Sequence, residues 1–337
     1  MKRQWWVLGA AVLVLVLGAG SAVAAVTLTY SNFFPPTHVQ SKLAEEWCKE
    51  VEKRTKGEVV IQYFPGQTLT KADQVYDGVV SGISDIGLSL FAYTRGRFPV
   101  LEVLDLPLGY PNGTVATAVV NEVYEALKPK ELEDVKVLYL HAHGPGLVHS
   151  RARPIRTMDD MRGIKFRATG FAAKIVTALG GTPVAMPMPE TYTSLQRGVV
   201  DGTLHPMEAN KGWRLGEVTK YMTENFSMAY TSSFFVVMNK QKWAQLSPAA
   251  QKAIDEVNAE WIAKTAAAWD ESDQEGRAYF LEQGNEIISL SEEEAARWKQ
   301  AVQPIIDEYV TEAQKKGVDG KAALDATLAA LARHGVR

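Results

Sequence analysis

A single cysteine in 337 residues excludes an internal disulfide, and with it any small fold held together by cross-links. Cys48 falls in a helical pattern beside Trp47, which predicts a buried helix residue and leaves no cysteine near the N-terminus to carry a lipid. Several catalytic signatures are missing as well. No paired-cysteine or H-E-x-x-H spacing points to zinc, no Walker loop cradles phosphate, and no G-x-S-x-G elbow presents a nucleophile. Neither sign of charge dominates, since 36 Lys and Arg stand against 39 Asp and Glu. That balance gives no electrostatic reason to expect nucleic acid or an anionic membrane as partner. Beyond the first 25 residues no run approaches the ~18 apolar residues of a membrane span, and there is no repeat or low-complexity tract. With 46% hydrophobic residues and 22% charged, the chain has the composition of one large or two mid-sized globular domains.

The N-terminus is the exception to this plainness. MKRQ precedes WWVLGAAVLVLVLGAGSAVA, a basic start, an apolar core and then small residues, with Ala22-Val23-Ala24 as an A-x-A cleavage site. The expectation is a signal peptide over residues 1–24, cleavage after Ala24 or Ala25, and a mature protein in the periplasm. An uncleaved anchor is the alternative, because Trp5 to Ala25 nearly spans a bilayer.

After it, strand and helix patterns alternate. VTLTYSNF reads as a strand, VQSKLAEEWCKEVEKRTKG as an amphipathic helix with Leu43, Trp47 and Val51 at helical spacing, and EVVIQYFPG and DIGLSL as further strands. Residues 113–128 look helical and VKVLYLHAH extended; then GIKFRA, TPVAMP and VVDGTLHP alternate with helices over FAAKIVTALG and PETYTSLQRG. Such alternation predicts two α/β units with mostly parallel sheets. A strand at SSFFVVMN leads into a helical tract from Ser247 to about Glu282. At 1.5 Å per residue it spans roughly 54 Å, enough to run across both units. The tail from Ser291 is charged and helical, a packing layer with no site.

Some possible sites weaken on inspection. Gly144-Pro145-Gly146 follows a strand, but proline removes a backbone N–H from any phosphate cradle; a tight crossover turn fits better. His141, His143 and His149 lie close together, yet no cysteine or nearby carboxylate completes a metal set. Hydrogen-bonded histidines at a strand end are the preferred reading, and neither metal nor cofactor is expected.

One block narrows the field. GIKFRATGFAAKIVTALGGTPVAMPMPETYTSLQRGVVDG, residues 163–202, resembles the solute-binding proteins of tripartite ATP-independent periplasmic (TRAP) transporters, the DctP-type family. The G-x-K-x-R strand, the LGG-TPV-x-MP turn and the E-x-Y-x-x-L-Q-x-G-V-V-D-G helix occur in order, and GISDIG, LPLGY and the serine-proline start of the long helix extend the likeness over the mature chain. The resemblance implies a two-lobed periplasmic binding protein fold with crossing strands and a long helix spanning both lobes. Lobe I is expected over 25–142 plus 231–270, lobe II over 143–230 plus 271–325, with hinge strands near 142 and 230. It also implies a ligand held between the lobes and a membrane permease as partner. The chain is expected to act as a monomer, and not as an enzyme.

Arg167 matches the family arginine that grips the ligand's carboxylate. Its place at the carboxyl end of a strand suits that role, and a guanidinium offers two parallel N–H groups while staying charged when water leaves. Thr169 and the helix start at Phe171 offer a hydroxyl and backbone donors to the same anion. The sequence also departs from the family pattern. His205, in Thr203-Leu204-His205-Pro206, stands where many relatives carry asparagine, and a second arginine used by some sugar-acid binders is replaced near Pro145. Both changes argue against a highly hydroxylated sugar acid. His205 either meets the ligand or is satisfied within the hinge. Phe33, Phe34, Leu90, Phe91, Tyr93, Met188, Trp213 and Phe234 are further wall candidates, which leans the ligand towards a monocarboxylate with an apolar or aromatic body. Glu208 either binds an amine or faces solvent. A secreted enzyme acting on a small carboxylate and a ligand-sensing receptor module are the competing classes.

Overall fold

The computed structural model describes residues 25–336, so the expected signal segment lies outside the described residues. In chain order the first part runs β1 (Val26–Asn32), α1 (Val39–Arg54), β2 (Val59–Phe64), α2 (Val75–Val80), β3 (Ile86–Leu90), α3 (Gly113–Leu127) and β4 (Val135–Ala142). Next come β5 (Gly146–Ser150), β6 (Lys165–Ala168), α4 (Ala172–Ala178), β7 (Thr182–Ala185), α5 (Thr191–Gln196), β8 (Gly202–Pro206), α6 (Ala209–Gly212) and β9 (Tyr221–Glu224). The chain closes with β10 (Ser233–Asn239), α7 (Lys240–Gln245), α8 (Pro248–Glu282), β11 (Glu286–Ser289), α9 (Glu292–Lys315) and α10 (Gly320–Arg333).

The strands form two sheets, in the orders β2-β1-β3-β10-β4 and β11-β9-β5-β8-β6-β7. Each is the floor of an α/β lobe. Both are mixed, which corrects the expectation of mostly parallel sheets. In the first, β10 runs antiparallel to β3 and β4; in the second, β5 runs antiparallel to β8 and β9. The cause is the crossing of the chain between lobes. The chain leaves β4 of the first sheet at Ala142 and enters β5 of the second at Gly146, so β5 joins its sheet from the other lobe and not through a βαβ unit. It returns before β10, and the two crossings are tied where Gly146 N–H donates to Tyr230 O at 2.8 Å. The buried strand GLVHS lacks alternation, so sequence patterning showed only the turn before it.

Helix α1 buries Ala44, Trp47, Cys48 and Val51 on one face; Trp47 and Val51 belong to the stripe read from the sequence, whereas Leu43 is only half-buried and Ala44 takes the inward position. The long helix α8 starts at Pro248, with the Ser247 hydroxyl accepting from Ala250 N–H at 3.1 Å. Proline at a first helical turn loses no hydrogen bond, and the serine cap satisfies an amide that would otherwise be orphaned. Over its length α8 packs on α1, α3 and β4 in the first lobe and on α6 and β11 in the second. Trp47 Nε1 donates to Asn258 Oδ1 at 3.0 Å near one end, and Asp273 Oδ1 accepts from Glu208 N–H at 2.8 Å further on.

The tail divides differently from the expected lobe limits. Helix α9 lies on α4 of the second lobe, but α10 lies on α3 of the first. The apolar residues Ala323, Leu324, Ala330 and Leu331 of α10 are buried there, so hydrophobic burial, not chain order, decides its place.

Candidate functional site

Strand β6 is short, and Arg167 is its penultimate residue. Its register sets Arg167 beside Val184 of β7 and Thr203 of β8. The side chain is 3% exposed, Nε donates to Met186 O at 3.0 Å and Nη1 to Leu204 O at 3.3 Å. Both partners are neutral carbonyls, and no carboxylate among the described residues pairs with this cation. A buried guanidinium held only by carbonyl dipoles keeps N–H donors and a charge that an anion can pair with.

Arg167 faces a cavity of about 30 Å³ between the lobes, room for about two waters. The second lobe contributes Thr169, Met188, His205, Glu208 and Trp213 to its wall, and the first contributes Phe33, Phe34, Leu90, Tyr93 and Phe234. The structure therefore brings eleven of the thirteen expected residues together. Phe91 and Phe171 lie elsewhere. Phe234 pairs with Leu90 across the sheet, and side chains alternate between faces, so the neighbouring Phe91 turns the other way onto Phe98 and Phe235, with ring centroids 4.9 and 5.2 Å away. Phe171 precedes α4 and packs under α9 against Tyr309 at 5.9 Å. It adds nothing to the cavity wall.

The wall also holds residues that sequence patterning passed over or gave no role. His143, Tyr230 and Trp269 all line it. Trp269 sits mid-way along α8, where periodicity says only that it is buried. His143 was visible as a strand-end histidine, and Tyr230 marks the second crossing.

Burial holds His141, His143, His149 and His205 below the usual imidazole range. His143 Nδ1 donates to Gly144 O at 2.6 Å while Nε2 accepts from Ser232 N–H at 3.1 Å; burial pulls it down to about 4, and the nearby Arg167 charge acts the same way. His141 Nδ1 accepts from Trp269 Nε1 at 3.0 Å, and burial lowers it to about 3. His205 stacks on His149 at 3.6 Å and donates from Nδ1 to Pro206 O at 2.8 Å. Burial first, then His149, holds it well below the usual imidazole range. Its Nε2 thus offers a lone pair, not a proton, and has no partner among the described residues. Among those residues no group of three or more His, Cys, Asp or Glu is placed to hold a metal ion.

Several contacts join the lobes around the cavity. His38 Nε2 lies 2.9 Å from Glu208 Oε2, Tyr93 Oη accepts from Met188 N–H at 3.0 Å, and Phe33 stacks on Trp213 at 6.1 Å and 13°. Burial pushes the Tyr93 phenol up, and the Arg167 charge beside it pulls the other way.

Comparison with known proteins agrees with this geometry. The sequence profile of the bacterial extracellular solute-binding protein family 7, DctP, matches residues 30–313. The 2,3-diketo-L-gulonate-binding periplasmic protein YiaO of Escherichia coli is 30% identical over 241 residues, covering 69% of this chain and 72% of its own. A marine metagenome TRAP solute-binding protein specific for aromatic acid ligands, solved with metahydroxyphenylacetate, is 30% identical with a TM-score of 0.86, over 91% of this chain and 99% of its own. A TRAP solute-binding protein from Rhodoferax ferrireducens, solved with copurified benzoate, is 29% identical with a TM-score of 0.86, over 92% and 99%. With a family match across most of its length and the two-lobed fold that its relatives share, the chain belongs to the family 7 bacterial extracellular solute-binding proteins.

Proposed function

We propose that this protein is a periplasmic receptor that captures a small organic acid between its lobes and delivers it to a TRAP membrane permease, acting as a monomer after removal of residues 1–24. Arg167 grips the carboxylate, with Thr169 beside it, while Phe33, Leu90, Tyr93, Met188, Trp213 and Phe234 enclose an apolar or aromatic body and His205 offers an acceptor. The hinge is the pair of crossings near residues 142 and 230, and closing it dries the site.

One observation carries this reading: Arg167 is buried with no carboxylate partner among the described residues. A cation in that position is stabilised most by an anion that arrives with the ligand. The apolar rings lining the rest of the cavity favour a body with few hydroxyls, and the benzoate and metahydroxyphenylacetate held by two similar proteins point the same way.

A thermal-shift screen of the mature protein tests it, because a ligand that binds only the folded state raises the melting temperature by mass action. Aryl and branched-chain carboxylates are expected to raise it, and their neutral amides are not. Equal shifts from acid and amide would remove the carboxylate from the reading. Conversion of a bound acid into product would move the protein to the class of enzymes.

A further inference from the structure

Glu208 is the one carboxylate on the cavity wall among the described residues, and it is 3% exposed. A carboxylate in an apolar site is destabilising unless it is paired. Among the described residues its side chain has one hydrogen-bond partner, His38, at 2.9 Å from Oε2. The charge of that histidine follows from its second nitrogen. His38 caps α1, and its Nδ1 accepts from Gln40 N–H at 3.2 Å. A ring nitrogen that accepts carries no proton, so Nε2 carries it, and His38 is a neutral donor to Glu208. The negative charge of Glu208 therefore has no cation beside it, and Oε1 makes no hydrogen bond with the described residues.

The position is nevertheless tightly fixed. Glu208 N–H donates to Asp273 Oδ1 at 2.8 Å, and burial pushes the Asp273 carboxyl well above the usual carboxylate range. Two glycines make the fit possible. A Cβ at Gly276 would stand 2.1 Å from Met207 O, and one at Gly212 would stand 2.7 Å from Glu208 Oε2 and 2.8 Å from His38 Nε2. The cavity thus presents one fixed cation, Arg167, and one fixed anion, Glu208, with the rings of Phe33, Phe34, Trp213 and Trp269 around them. Aromatic faces attract cations.

We propose that the ligand is a zwitterion, an acid whose apolar or aromatic body also carries a protonated amine, with the amine donating to the free oxygen of Glu208. The proposal rests on the carboxylate reading above and narrows it. Charge balance separates the amine from a hydroxyl. A hydroxy acid would leave one negative charge uncompensated in the closed site, whereas a zwitterion brings the sum to zero.

Calorimetry on the full mature protein decides it with two matched series: phenylpropanoate, phenyllactate and phenylalanine, and para-methylbenzoate, para-(hydroxymethyl)benzoate and para-(aminomethyl)benzoate. In at least one series the amine is expected to bind about tenfold or more tighter than both partners, about 1.4 kcal/mol. In Glu208→Gln that ratio is expected to fall to within about threefold. A plain or hydroxy acid binding as tightly as its amine in both series overturns the proposal while leaving the carboxylate reading intact, as does an undiminished amine preference in Glu208→Gln. If neither series binds but other carboxylates do, the zwitterion alone falls; if no carboxylate binds at all, both readings fall. The wild-type ranking stands alone should Glu208→Gln not fold.

Discussion

Replacing Arg167 with alanine separates a binding role from a structural one, because the two roles have opposite signs in this environment. In the folded protein the guanidinium is 3% exposed and donates only to Met186 O and Leu204 O, at 3.0 and 3.3 Å. Removing it leaves two carbonyls short of a donor, which costs about 1 kcal/mol each. It also removes a buried cation with no carboxylate partner, which offsets part of that loss. The expected change in melting temperature is therefore small, at most a few degrees. For the ligand the effects do not offset. A carboxylate entering the closed site of Arg167→Ala loses its charged partner and stays desolvated, which costs roughly 2 to 5 kcal/mol, or a loss of affinity between about 30-fold and several thousand-fold. Arg167→Lys should fall between, since an ammonium keeps the charge but not the two parallel N–H groups. Titration calorimetry with an acid found by the carboxylate screen, paired with a thermal melt, reads both quantities. An affinity for Arg167→Ala within threefold of wild type would refute the reasoning, and so would a melt so depressed that the arginine proves to be a structural strut.

Three further outcomes are expected. Trp213→Ala removes the stack on Phe33 that joins the lobes at 6.1 Å, so ligand affinity should fall roughly twofold to tenfold; an unchanged affinity by calorimetry would be the contrary result. Gly276→Ala puts a methyl 2.1 Å from Met207 O, and prying α8 from that segment should cost about 1 to 3 kcal/mol in chemical denaturation, an unchanged midpoint being the contrary result. Burial raises the folded-state pKa of Asp273, so its contribution to stability is full below the unfolded carboxylate value and is lost as pH rises through the folded one. Asp273→Asn, which does not titrate and can keep the Glu208 N–H acceptor, should gain in melting temperature relative to wild type as pH rises above the unfolded carboxylate value of about 4; a difference that stays constant with pH would contradict the cause assigned.

Much of this was legible along the chain because it depends on neighbours in sequence. The spacing of Trp47 and Val51 on α1, the proline and serine that start α8, and the arginine at the end of β6 are each set by a few adjacent residues and the period of the element that holds them. Arg167 could be singled out for that reason. Leu90 and Phe91 show the limit. Both are apolar, both stand at a strand end, and only the pairing of Leu90 with Phe234 decides which of them faces the cavity. The mixed sheets were equally hidden, since the direction of β5 and β10 depends on where the chain crosses between lobes.

What the sequence alone determined is the kind of protein: exported by expectation, α/β, two-lobed by resemblance, with a cation at a strand end. What only the tertiary structure decided is the charge of the site. His38 and Glu208 lie 170 residues apart, one at the cap of α1 in the first lobe and the other beside α6 in the second. No local pattern links them. The neutral state of His38 depends on a backbone N–H in its own helix, and the enclosure of Glu208 depends on two glycines and on α8. Solvent exclusion gives that carboxylate its weight, and it arises only when the lobes meet.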